Sequence, residues 1–127
     1  MNDGASIMAL TYYGSTRYMQ SYNVMGVAKA ALETSIKYLA VDMGDRGIRV
    51  NAISAGPMRT LAGAVINKSR KIYNYTIENS PIKKPLSLED IGKSSVYLMS
   101  DLSKGVTGEI LYVDNGYNNV GMSIQDL

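Results

Sequence analysis

"NVMGVAKAALETSIKYLAVDMGDRGIRVNAIS", Asn23 to Ser54, is the stretch on which the fold turns. From Asn23 to Gly44, apolar side chains recur every three or four positions, at Val24, Ala28, Leu32, Ile36, Leu39 and Met43. That spacing predicts a long amphipathic helix. Gly44 and Gly47 end it, and Ile48 to Ser54, "IRVNAIS", reads as a strand. A helix leading straight into a buried strand is the second part of a strand–helix–strand crossover, so a strand is expected upstream.

Ala5 to Leu10, "ASIMAL", supplies it: a short apolar run without helical spacing, bounded by Gly4 and Gly14. Downstream, Gly56-Pro57 makes "AGPMRT" a loop, and residues 63–79 carry a weaker helical pattern. Ser87, followed by Leu88, Glu89 and Asp90, has the form of an N-cap with acids in the first turn, opening a helix to about Met99. Gly105 and Gly108 lead into a strand at Glu109 to Asp114, "EILYVD", which Asn115-Gly116 turns. The alternation predicts an α/β fold, a three-stranded parallel sheet flanked by helices with right-handed crossovers. Three strands are few, since sheets average about five or six.

The bulk numbers fit one domain: 127 residues, 46% hydrophobic and 19% charged. A net charge of +2 without a basic arm gives no reason to expect nucleic acid. No apolar run approaches the roughly 18 residues of a membrane span, and the start lacks the pattern of a signal peptide, so the expected compartment is the cytoplasm. Asn67-Lys-Ser69 and Asn74-Tyr-Thr76 match the glycosylation pattern and are read as coincidence in that setting. The absence of histidine and cysteine removes disulfides, thiolate ligands and the commonest general base, and no metal is expected. Proton chemistry then falls to Tyr, Lys, Asp, Glu or water.

Tyrosines gather between Thr11 and Glu33, "TYYGSTRYMQSYNVMGVAKAALE". Tyr22 and Lys29 are seven apart, which on a helix is roughly 700° of rotation and about 10.5 Å of rise, so both lie on one face. An ammonium beside a phenol stabilises the phenolate and lowers the tyrosine pKa, making Tyr22 a proton donor or oxyanion stabiliser for a polarised carbonyl. The plainer alternative pairs Lys29 with Glu33, and Glu33 with Lys37, on a solvated face. Spacing alone leaves both open.

The segments "YNVMGVAKAALE", "GIRVNAISAGPMRTLA" and "VTGEILYVDNGY", in that order, resemble the NADH-dependent enoyl-acyl-carrier-protein reductases, a divergent branch of the short-chain dehydrogenase/reductase superfamily. In most of that superfamily the tyrosine and lysine are four apart; the spacing of seven in "YNVMGVAK" is that of the enoyl reductases. The resemblance runs from about Gly4 to about Met122.

It implies the C-terminal half of a Rossmann-like parallel sheet, a single partial domain over residues 1–127. No glycine-rich strand–turn–helix for a dinucleotide stands in the sequence, so the N-terminal dinucleotide-binding half is expected to be absent. It further implies an enoyl-acyl-carrier-protein reductase of type II fatty acid synthesis, passing hydride from NADH to the β-carbon of a trans-2-enoyl thioester, with NADPH left open. Tyr22 would face the thioester carbonyl, Tyr12 would line the substrate side, and Lys29 would hold the nicotinamide ribose. Gly56, Pro57, Met58, Arg59, Thr60, Leu61 and Ala62 would border the cofactor, with the Thr60 hydroxyl on the pyrophosphate. Met25, Ile66 and Ile72 would join Tyr12 and Tyr22 around the substrate.

Lys68, Arg70 and Lys71 would dock the acidic acyl carrier protein if they are not merely a solvated face. Ser69 stands where many relatives carry an aromatic, and Asn115 replaces a glycine of their "VDGG" turn. Relatives are usually tetramers, which makes a homo-oligomer the expectation. Two other readings share the fold: a ketoreductase of the same superfamily, against which the seven-residue spacing speaks, and a non-catalytic remnant acting only in subunit contacts.

Overall fold

Strand β1 (Ser6–Thr11), helix α1 (Asn23–Asp42) and strand β2 (Arg49–Ala55) form the expected crossover unit, in a computed structural model that describes residues 1–61 and 69–122. Helix α2 (Ser69–Asn79), helix α3 (Leu88–Met99) and strand β3 (Ile110–Val113) follow, with 3-10 turns at Tyr13–Ser15, Gly44–Arg46, Asp101–Ser103 and Tyr117–Asn119. The three strands are parallel in the order β1-β2-β3, with Ser6 opposite Arg49 and Ala52 opposite Ile110.

β2 is buried on both faces, and its side chains alternate between two cores. Val50 and Ala52 pack with Ile36 and Ala40 of α1 and with Ile48. Ile53 packs on the other side with Ile91 and Leu98 of α3. Asn51 shares that second face and is fully buried; its amide donates to the Val106 carbonyl at 2.9 Å and accepts from the Glu109 N–H at 3.0 Å. A polar side chain mid-strand is thus satisfied, and it sets where β3 begins.

Arg49 binds the second layer together. One of its terminal nitrogens donates to the Leu98 carbonyl at 2.9 Å and the Ser103 hydroxyl at 2.8 Å, the other to the Ser100 carbonyl at 3.0 Å. These oxygens lie at the C-terminal end of α3, where the helix dipole favours a cation. At the opposite end Ser87 makes the expected cap. Its hydroxyl accepts from the Asp90 N–H at 3.1 Å, and the Asp90 carboxylate accepts from the Ser87 N–H at 3.0 Å.

One expectation holds only in part. Of the stripe beginning at Val24, Ile36 and Met43 pack on the first core, but Val24 is 79% exposed, and Ala28 and Leu39 are also exposed. The buried residues are Glu33, Ile36 and Ala40, with Tyr22 at the N-cap. α1 carries apolar residues around much of its circumference, so their period does not single out a face. The chosen face includes Gly26, Ala30 and Ala40, whose small side chains allow close approach.

Candidate active site

Tyr12, Tyr22 and the loop from Gly56 lie at the carboxyl ends of β1 and β2, where open parallel sheets place their ligands. Tyr12 directly follows β1, and the chain then tightens into the Tyr13–Ser15 turn. It re-enters α1 through Ser21, whose φ of +65° is left-handed. Tyr22 stands at the helix N-cap, and its carbonyl accepts from the Gly26 N–H at 2.7 Å.

The Tyr12 and Tyr22 rings meet edge to face, with centroids 5.0 Å apart and planes at 73°, a favourable arrangement for two quadrupoles. Two glycines permit it. A Cβ on Gly14 would stand 2.6 Å from the Tyr22 ring, and one on Gly26 would stand 2.9 Å from the Gly14 carbonyl oxygen. Burial pushes the Tyr22 phenol above its ordinary pKa. It pushes Tyr12 up strongly, helped by Tyr117, Tyr22, Tyr13 and Asp114. Both groups therefore hold their protons at neutral pH, which reverses the expectation that Lys29 would lower the phenol of Tyr22.

The reason lies in where the ammonium goes. Lys29 Nζ donates to the Leu10 carbonyl at 2.9 Å, pinning α1 to the end of β1. The plainer alternative also fails, because Glu33 makes no ion pair among the described residues. Its Oε1 instead accepts from the Thr11 hydroxyl at 2.6 Å and the Ser15 hydroxyl at 2.5 Å.

After β2, Gly56 lies so close to Asp114 that a Cβ would stand 3.0 Å from the Asp114 Cα. Met58 packs beneath the second core, and the Arg59 guanidinium lies over the Tyr73 ring at 5.1 Å from its centroid. Arg59, Thr60 and Leu61 line a cavity of about 480 Å³ together with Ser69, Arg70 and Tyr73. Ile72 and Lys71 line a second, of about 430 Å³, with Met19, Tyr75 and Tyr117. Arg70 and Lys71 thus border different cavities. Met25 is 48% exposed on α1 and lines neither. Ala62, Ile66 and Lys68 lie outside the described residues.

Sequence reasoning missed the aromatic and acidic support behind the tyrosines. Tyr117 meets Tyr13 edge to face at 5.7 Å. The buried Asp114 carboxylate accepts from the Gly116 N–H at 3.0 Å and the Asn118 N–H at 2.8 Å, folding the "DNGYNN" turn that presents Tyr117. A signal was available: an aspartate two residues before a glycine, in a turn of asparagines, is a side-chain-capped turn.

Residues 1–118 match the family described as enoyl-(acyl carrier protein) reductase. The chain belongs to that family. It is 60% identical over 126 residues to enoyl-acyl-carrier-protein reductase (NADH) 1 of Rhizobium meliloti, covering 99% of this chain and 46% of that relative. Among solved structures, the enoyl-acyl-carrier-protein reductase of Anaplasma phagocytophilum in complex with NAD is 54% identical with a TM-score of 0.87, over 92% of this chain and 45% of that one. The reductase of Bacillus cereus with NADP+ and indole naphthyridinone is 49% identical with a TM-score of 0.93, over 96% and 48%. The chain therefore spans just under half the length of these family members, and the Rossmann-like fold assignment stands. Among the described residues no helix is long and apolar enough to cross a membrane.

Proposed function

We propose that this chain supplies the carbonyl-binding and ribose-holding part of an NADH-dependent enoyl-acyl-carrier-protein reductase of type II fatty acid synthesis. The observation that carries the reading is the contact of the Tyr12 and Tyr22 rings at 5.0 Å, with the Lys29 ammonium of α1 held on the Leu10 carbonyl of β1.

The donor set suits a nicotinamide dinucleotide. An ammonium has three N–H donors, and the Leu10 carbonyl engages one of Lys29. Two remain, the number a ribose diol accepts. The loop Gly56 to Thr60 follows the end of β2; its half-buried stretch at Pro57 and Met58 would border the carboxamide, and Thr60 would meet the pyrophosphate. When bound, the dinucleotide supplies the hydride to the β-carbon of the enoyl thioester, and NADPH would supply the same.

Tyr22 then acts where charge develops. Its buried phenol keeps its proton and donates a hydrogen bond to the thioester oxygen. That bond strengthens as the oxygen takes on enolate charge, which is how such a group accelerates a reaction. Tyr12 closes the wall on the substrate side and keeps water from that oxygen. Ile72 borders the acyl chain, and Met25 and Ile66 are proposed beside it. Arg70 and Lys71, with Lys68, would steer the acidic carrier protein.

The glycine-rich phosphate turn is not among these 127 residues, so we assign the rest of the nucleotide site to a nucleotide-binding half outside them. The working form would be a cytoplasmic homo-oligomer. Alone, the chain should bind NADH weakly; completed with a nucleotide-binding half it should oxidise NADH in the presence of crotonyl thioester. Tight NADH binding by a stable 127-residue monomer would refute the need for a partner half. A completed enzyme that binds NADH yet leaves crotonyl thioester unreduced would refute the reductase reading.

A further inference from the structure

Glu33 is a buried carboxylate that the reaction does not use. It is 9% exposed, and no cation pairs with it among the described residues. Burying a charge without a counter-ion is unfavourable unless hydrogen bonds replace its lost hydration. Here those bonds come from Thr11 and Ser15, both to the single oxygen Oε1.

The placement of these donors matters. Thr11 ends β1 and Ser15 ends the following 3-10 turn, so the two hydroxyls bracket Tyr12, Tyr13 and Gly14. One oxygen gripping both sides of this segment closes it into a ring and holds it against α1. On α1, Tyr22, Gly26, Lys29 and Glu33 form one stripe: offsets of four, seven and eleven residues leave rotations of about 40°, −20° and 20° from Tyr22. Each touches the same stretch of chain. Tyr22 meets Tyr12, Gly26 approaches the Gly14 oxygen, Lys29 grips Leu10, and Glu33 grips Thr11 and Ser15.

We propose that Glu33 is the positioning residue of the tyrosine wall, fixing the 11–15 segment on α1 and so the Tyr12 ring on Tyr22. The proposal rests on the reductase reading for its consequence in catalysis, but the geometry it asserts is testable without turnover. An apolar residue at position 33 would fill the space and leave the Thr11 and Ser15 hydroxyls without their acceptor. The segment would then be free to shift on the helix, and Tyr12 with it.

The chain holds ten tyrosines and no tryptophan, phenylalanine or cysteine. Its near-ultraviolet circular dichroism therefore comes from phenol rings alone. Difference spectra between wild type and variants, taken in the assembly in which the chain is folded, read the ring geometry. Tyr12→Phe gauges the share of the signal owed to the pair. Glu33→Ala should lose as much of the band as Tyr12→Phe does, with the far-ultraviolet helix signal unchanged. Glu33→Gln keeps a side-chain oxygen that accepts both hydroxyls and should retain the band. A Glu33→Ala spectrum matching wild type, or a Glu33→Gln loss equal to that of Glu33→Ala, would overturn the proposal.

Should Glu33→Ala fail to fold, the double variant Thr11→Val with Ser15→Ala removes the same bonds from the other side. It should show the same loss, and an intact band there would be equally decisive against Glu33. The two readings fail separately: absence of NADH oxidation by the completed enzyme goes against the reductase, an unchanged tyrosine band against Glu33.

Discussion

Alanine at Gly14 would strike the tyrosine wall directly. Its Cβ would stand 2.6 Å from Tyr22 Cδ1, 2.9 Å from Tyr22 Cε1 and 3.3 Å from Tyr12 Cδ1. Non-bonded carbons settle at about 3.5–4.0 Å, so the Tyr22 ring must retreat by about 1 Å. It has little room, being buried and braced edge-on against Tyr12. Overpacking of this kind costs about 1–3 kcal/mol. Gly92 offers the matched control, because it lies inside α3 and a Cβ there meets nothing within 4 Å. Alanine in an open helix interior stabilises by about 0.5–1 kcal/mol. The two glycine-to-alanine changes should therefore move the urea midpoint in opposite directions and differ by about 1.5–4 kcal/mol at unchanged slope. In a completed enzyme, a 1 Å displacement of Tyr22 should lower the rate by about 10²-fold, whereas Gly92→Ala should leave it alone. Equal midpoints, or a Gly14→Ala enzyme with the wild-type rate, would refute the packing argument.

Arg49→Met should cost about 3 kcal/mol in urea unfolding. It removes charge-assisted bonds to Leu98 and Ser100, but the Leu98 carbonyl keeps the Ser6 hydroxyl and the single Ser103 proton is left for the Ser100 carbonyl, which holds the loss to that range; a loss indistinguishable from zero would count against the clamp. Ser87→Ala should destabilise by about 1 kcal/mol through the lost cap. In the other direction, the Ser87 hydroxyl and N–H donate to the Asp90 carboxylate and hold that carboxyl below its ordinary 3.8, so their contribution is present above that pH and fades as the pH falls through the lowered value. In Ser87→Ala this acid sensitivity should shrink, as acid titrations of the two proteins would record. At the alkaline end, Tyr12, Tyr22 and Tyr117 have phenols raised by burial above 10.0. Folding energy from keeping them neutral is intact below pH 10 and declines as the pH rises beyond it. Phenolate absorbance should show these three ionising after the exposed tyrosines, and simultaneous ionisation of all ten below unfolding would contradict their burial.

Local signals carried most of the fold. The Ser87 cap, the Gly44 and Gly47 stops and the Asn115-Gly116 turn all act within a few residues, and α3 ends at Met99 where expected. Asn115 and Gly116 are both left-handed, at φ of 57° and 83°, as a turn of that composition demands. The packed face of α1 was not legible, because apolar residues surround much of it and only the neighbouring sheet selects among them. At the site, the shared helical face of Tyr22 and Lys29 follows from helix geometry. The partner of each charge does not. Lys29 goes to a peptide carbonyl and Glu33 to two hydroxyls, choices made by backbone that arrives from β1. Tyr117 escaped for a similar reason: a residue some hundred positions away in sequence reaches Tyr13 only once the sheet has formed.

The anchor of Lys29 is a main-chain oxygen, and every amino acid brings one. Position 10 is therefore free to drift through evolution without disturbing the lysine, the more so because the Leu10 side chain is half exposed. Positions 11 and 15 enjoy no such freedom, since their grip on α1 depends on a hydroxyl. Sequence divergence along this stretch should be tolerant at the one position and confined to serine and threonine at the other two.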